Sequence, residues 1–175
     1  MPNFYTNQVL KDTTEHVVIK LTGKFDGTGQ EANSIRIQAN TFYGALDKSK
    51  ANLLSSSANT GPLPYYGLAV YRVWYDCSST GDVELYWTAP GTSNNTIFFF
   101  NGNGEYDGAG NWITIPNTTS AIPGSNGDIG VTTRGMVAND SYTMILELRK
   151  DNAHYQRGQL SDPAAFNYTP YNMKP

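Results

Sequence analysis

Short stretches in which apolar and polar side chains alternate with a period of two recur along this chain, separated by clusters of turn residues. A period of two puts every second side chain on one face of a strand, so each stretch offers one face to a core and one to solvent. At 16–22, Val17, Ile19 and Leu21 alternate with His16, Val18, Lys20 and Thr22. At 34–39, Ile35 and Ile37 are expected inward, Arg36 and Gln38 outward. Residues 82–88 place Val83, Leu85 and Trp87 on one face and Asp82, Glu84 and Tyr86 on the other. Residues 128–133 align Ile129, Val131 and Thr133, and 141–149 align Tyr142, Met144, Leu146 and Leu148. The aromatic, β-branched run 68–76 reads as a strand, TIFFF (96–100) as a buried strand and WITI (112–115) as a short one.

Turn chemistry fills the gaps. Asp26-Gly27 marks one reversal, and Ser79, Thr80 and Gly81 make a short hairpin connection. NGNGEYDGAGN (101–111) is turn chemistry throughout, and a Pro/Gly/Ser/Asn loop covers 116–127. One helix is expected, over 41–54, with Phe42, Ala45 and Leu46 at helical spacing, Thr41 as cap and Gly44 inside it. About eight short strands in one chain indicate an all-β domain: a single antiparallel β-sandwich, jelly-roll-like, with extended termini. A Greek-key sandwich of other order or a closed barrel fits the same pattern. The expected organisation is an N-terminal arm at 1–14, polar and irregular, a β-sandwich at 15–150 and an extended C-terminal tail at 151–175.

Composition narrows the job. At 175 residues the chain suits one domain. Charged residues are 15% of it, against roughly 25% in ordinary soluble domains, so its surface repels neighbours weakly and tolerates protein contact. The net charge of -3, with no stripe of Lys and Arg, argues against wrapping nucleic acid. No apolar run approaches the ~20 residues of a membrane helix. The opening MPNFYTNQVLKDTTEH lacks the basic and apolar regions of a signal peptide, so synthesis in a cytoplasm is expected. The lone Cys77 excludes an intrachain disulfide and reads as a small core residue.

Catalytic and metal patterns are weak. His16 and His154 are far apart and fall in no HxH or HExxH arrangement. Asp82 and Glu84 share a strand face roughly 7 Å apart, a spacing that a glycosidase pair could use, but charges on a solvent face are routine. Asn101, Asn103, Glu105 and Asp107 alternate like a calcium loop, without an EF-hand's Asp-rich pattern and terminal Glu. No enzyme and no cofactor are expected. Aromatic residues make up 13% of the chain, and those between 65 and 87 exceed what one strand face can bury. Tyr65 and Tyr66 are therefore candidate partner-binding residues, with Tyr155, Phe166, Tyr168 and Tyr171 of the tail, where spaced aromatics suit an extended arm. Deleting 151–175 is expected to weaken assembly and leave the β-domain folded.

Four stretches carry a resemblance: DTTEHVVIKLTGKFDGT (12–28), YRVWYDCSSTGDVELYW (71–87), FFFNGNGEYD (98–107) and SNGDIGVTTRGMVANDSYTMILELRK (125–150). In their order they resemble small virion structural proteins of tailed phages, notably marine and cyanobacterial ones. That resemblance implies a β-rich fold and a structural role, and no catalytic residues. The expected function is a capsid decoration (cement) protein that stabilises the shell through contacts with the major capsid protein or other virion proteins. A homo-oligomer is expected, a trimer being one option, located in the virion, with neither nucleic acid nor membrane as partner. The alternatives are a neck or tail component, or a carbohydrate- or receptor-binding module.

Overall fold

The computed structural model describes residues 3–45, 66–91, 94–108, 114–118, 125–150 and Tyr155. Ten strands run through them: β1 (Phe4–Asp12), β2 (His16–Lys24), β3 (Ser34–Ile37), β4 (Leu68–Cys77), β5 (Asp82–Trp87), β6 (Asn95–Phe100), β7 (Asn103–Tyr106), β8 (Ile115–Pro116), β9 (Ile129–Arg134) and β10 (Ser141–Lys150). One sheet has the order β1-β2-β10-β4-β7, with β8 also beside β4, and the other has the order β3-β9-β5-β6. All strand pairings are antiparallel. Leaving β1 and β8 aside, the two orders match position by position: β2 with β3, β10 with β9, β4 with β5 and β7 with β6. Apart from the β5–β6 hairpin, sequence neighbours among these eight strands sit in opposite sheets, the arrangement of a jelly roll. The fold is an all-β jelly-roll sandwich, the expected one of the arrangements that the alternation leaves open.

Strand β10 is the spine. It pairs with β2 along one side and β4 along the other. Its inward residues Tyr142, Met144, Leu146 and Leu148 are at most 1% exposed. Leu146 lies between Ile19 and Val73 in register. Val83, Leu85, Trp87, Ile129 and Val131 face them from the second sheet, all fully buried. Burying each such side chain stabilises by about 1.5–3 kcal/mol, so the centre of the sandwich carries most of the cohesion. Cys77 belongs to this core, and burial pushes its thiol up to about 12, as expected of a structural cysteine.

The margins depart from expectation. Residues 4–12, read as irregular, form an edge strand exposed along most of its length. With little core to face, it has no need of alternation. In β6 only Phe100 is fully buried, while Phe99 is 60% exposed, because β6 is the other sheet's edge and not an interior strand. Asn103–Tyr106, inside the expected loop, pair with β4 as β7. Gly104 leaves room for the facing Tyr75 side chain, which would have to shift if a Cβ were added there. A bulge between Ile35 and Ile37 sets those residues on opposite faces, so Ile37 is buried and Ile35 is 53% exposed. In place of the expected helix start, Ala39–Thr41 form one 3-10 turn and Phe42 is extended. Residues 46–54 lie outside the described residues, as do 112 and 113 of the expected WITI strand.

Candidate binding surfaces

The sequence-predicted contact residues divide sharply. Tyr66 and Tyr155 are core residues, 5% and 1% exposed, and are not docking aromatics. Their rings meet at 5.7 Å, and the Tyr155 hydroxyl donates to the Ala39 carbonyl at 2.7 Å. A bridge between Ala45 and Tyr155 holds the backbone beside them. The sandwich's core therefore extends past residue 150. Tyr65, Phe166, Tyr168, Tyr171 and His154 lie outside the described residues.

Among the candidate catalytic and calcium residues, Asp82, Glu84 and Asn101 are engaged locally. Glu84 accepts from Arg134 at 2.7 Å and from the Thr96 hydroxyl at 2.6 Å. The Asn101 amide donates to the Gly81 carbonyl at 3.0 Å and to Asp82 at 3.2 Å, closing the hairpin below β5. His16 stands 3.1 Å from Glu147 on the outer face of the first sheet. Among the described residues, no three His, Cys, Asp or Glu side chains come together as a metal site, and no helix is long and apolar enough to cross a membrane.

Glu31 and Lys150 are the most deeply buried charged residues among those described, and neither shows in the alternation. Glu31, 2% exposed, accepts from the Tyr142 hydroxyl at 2.7 Å and faces the Arg36 guanidinium at 3.4 Å. Arg36 is the residue the β3 bulge inserts. It also donates to the Thr6 carbonyl at 3.0 Å and lies over the Tyr5 ring, tying β1 to the second sheet. Burial holds the Glu31 carboxyl above the ordinary carboxylate range, against the opposing pull of Tyr142 and Arg36. A carboxyl raised in the folded state adds stability below its unfolded pKa of about 4.3 and loses it as pH rises through the folded value. The stability of wild type relative to Glu31→Gln is thus expected to fall as pH climbs from about 4 toward neutrality. Urea titrations of both proteins across that range check this, and a difference that stays flat or grows with pH would refute it. Asp26 and Asp140, held low by hydrogen bonds to Thr28 and Thr80, act in the opposite sense below about pH 4, and the comparison cancels them.

Lys150, 4% exposed, is the other. It joins the end of β10 to Asp12, Thr13 and Tyr43.

Two surfaces are left open. The first is the β1 edge, where Phe4, Val9 and Leu10 are 62%, 53% and 48% exposed. Val9 lies opposite Ile19, an inward-facing residue of β2, so it continues the core's apolar row out beyond the covering sheet. Leu10 sits in a bulge between Val9 and Lys11. The second is the outer face of the first sheet at β4 and β7, where Trp74, 37% exposed, overlooks an open cleft that Asp76, Asn103 and Glu105 also line. Periodicity marks neither surface, because an exposed apolar residue on an edge and an exposed indole on a polar face both look like core residues in a sequence.

No protein family matches the sequence, and no curated protein does. Among solved structures, one described as "CBM4 structure and function" aligns over 84% of this chain and 94% of its own length, at 10% identity and a TM-score of 0.29. The fold is established by its own strand pairing: an antiparallel jelly-roll sandwich with one apolar edge and one aromatic-bearing polar face.

Proposed function

We propose that this chain is a virion structural protein of a tailed phage, a capsid decoration protein that holds shell subunits through protein contacts and has no catalytic role. The β1 edge is the observation that carries this reading. A long edge strand is a template for pairing with another chain, and proteins that stay apart blunt such edges with charge or proline. Here the edge bears Val9 and Leu10 beside Lys11, while the other charge of the strand, Asp12, is taken up by Lys150. A strand of the major capsid protein or of a second copy would extend the sheet and bury those side chains. The low charge of the whole chain and the resemblance across 12–150 support the same role. A neck or tail component would use the edge in the same way and differ in copy number.

Copy number in purified virions, by quantitative mass spectrometry against the major capsid protein, tests the reading. A ratio near one to one supports shell decoration. A few copies per hundred capsid subunits replaces it with a neck or tail role, and absence from the virion overturns both. The Val9→Lys/Leu10→Lys double variant is expected to fold with little change in stability, each exposed site being worth within about 0.5 kcal/mol. Its incorporation into virions should drop about tenfold or more, the loss expected when two charges enter an apolar contact. Undiminished incorporation would remove the edge from the interface.

A further inference from the structure

We propose that the outer face of the first sheet, around Trp74, is a binding site for a neutral saccharide chain. This site is separate from the β1 edge and does not depend on the virion role. Trp74 on β4 lies directly opposite Glu105 on β7, and Asp76 lies opposite Asn103. Positions two apart on a strand share a face, so the indole, two carboxylates and an amide project together. Cross-strand partners stand about 4.5–5.5 Å apart, which spaces these groups at the scale of one sugar ring. The cleft they line is open and shallow, with the backbone of Gly104 as part of its floor. Register carries the same face onward through Ile145 and Lys20.

Each part has a use toward a pyranose. An exposed indole offers a flat, polarisable face to the axial C–H groups of a sugar ring, while burying apolar area with few rotamers to freeze. The Asp76 and Glu105 carboxylates accept from hydroxyls, and the Asn103 amide both donates and accepts. No hydrogen bond or ion pair to another described residue engages these three side chains, in contrast to Glu84 and Asp82 on the second sheet. A polar group already committed to a partner has to break a bond to take a ligand, and these do not.

Charge selects among ligands. Among the described residues, two carboxylates and no Lys or Arg line the cleft, so phosphate, sulfate and uronate groups are disfavoured there. A quaternary ammonium or lysine side chain would need several aromatic walls around it. Among the described residues the face has a single exposed indole, and Lys20 lies further along the same row. A neutral, extended polyol lying along the sheet satisfies both constraints.

The test uses the full chain against cellohexaose, xylohexaose, maltohexaose and chitohexaose by isothermal titration, with the matching soluble polysaccharides in affinity gels. At least one neutral series should bind, with affinity indifferent to salt. Trp74→Ala should weaken it about tenfold or more, the effect of removing one anchoring aromatic. Trp74→Phe should retain part of the binding, and Phe99→Ala, which removes an exposed ring from the other sheet, should retain all of it. The melting temperature of Trp74→Ala, read beside the binding, separates lost binding from lost folding. The proposal is overturned by absence of binding to every probe, by binding that survives Trp74→Ala, or by salt-sensitive binding of oligolysine in place of the sugars.

Discussion

Replacing Lys150 with Met should lower the stability of the protein by about 3 kcal/mol, a fall of about 6–12 °C in melting temperature for a chain of this size. Lys150 is 4% exposed at the end of β10, and its ammonium has three oxygen partners. These are an Asp12 carboxylate oxygen, the Thr13 carbonyl at 2.7 Å and the Tyr43 carbonyl at 2.7 Å. The Tyr155, Phe42 and Tyr43 rings stand 5.2, 5.8 and 5.9 Å from the ammonium nitrogen. An ammonium with all three protons directed at oxygens is fully satisfied despite its burial. Burial draws its pKa down, and the Asp12 contact opposes that shift. Methionine fills similar space and leaves all three oxygens without their donor. Removing one partner of a buried pair typically costs about 3–5 kcal/mol. The low end applies because the Asp12 side chain is 21% exposed and can turn to water. Lys150→Arg should not rescue fully, since a planar guanidinium does not converge three donors on one point. Urea unfolding at neutral pH measures the effect, and a loss under about 1 kcal/mol would show the clip to be dispensable.

Tyr155→Ala should cost about 3–5 kcal/mol, the range for truncating a large buried aromatic, whereas Tyr155→Phe should cost only about 1 kcal/mol. The ring is 1% exposed and packs on Tyr66 and against the Lys150 ammonium, and the hydroxyl adds one bond to Ala39. Deleting 151–175 therefore should not leave the β-domain intact as expected from the sequence, because the cut removes a core residue. Its destabilisation should at least equal that of Tyr155→Ala. Calorimetric melting of the three variants decides the matter: near-equal stability of Tyr155→Ala and wild type would return Tyr155 to the surface. Because Tyr155 and Lys150 touch, their effects should not add in the double variant.

How much of this was legible in the sequence depended on where each strand lies in its sheet. The inward rows of β2, β5, β9 and β10 were readable residue by residue, because each of these strands has one face on the core and its alternation records that. The edges were not. β1 is exposed along most of its length, β7 is four residues with a glycine among them, and β6 carries three successive phenylalanines of which only Phe100 is fully buried. A sequence gives the polarity of a side chain and not the presence of a neighbouring sheet to cover it. For the same reason Tyr66 and Tyr155 looked available for partners, and nothing in the sequence singled out Trp74 among the aromatics of 65–87.

The amino-acid sequence by itself determined the all-β class, the inward faces of β2, β5, β9 and β10 and the place of Cys77 in the core. Period-two alternation and turn residues are local properties, and those conclusions need nothing more. Only the tertiary structure decided which strands became edges, that Arg36 would be drawn inward to Glu31, and that Lys150 would gather oxygens from residues as distant as Asp12 and Tyr43. Only the pairing of β4 with β7 brought Asp76, Asn103 and Glu105 around one exposed indole. Each of these depends on contacts between residues far apart in the chain, and register across a sheet fixes such contacts only when the whole sandwich has closed.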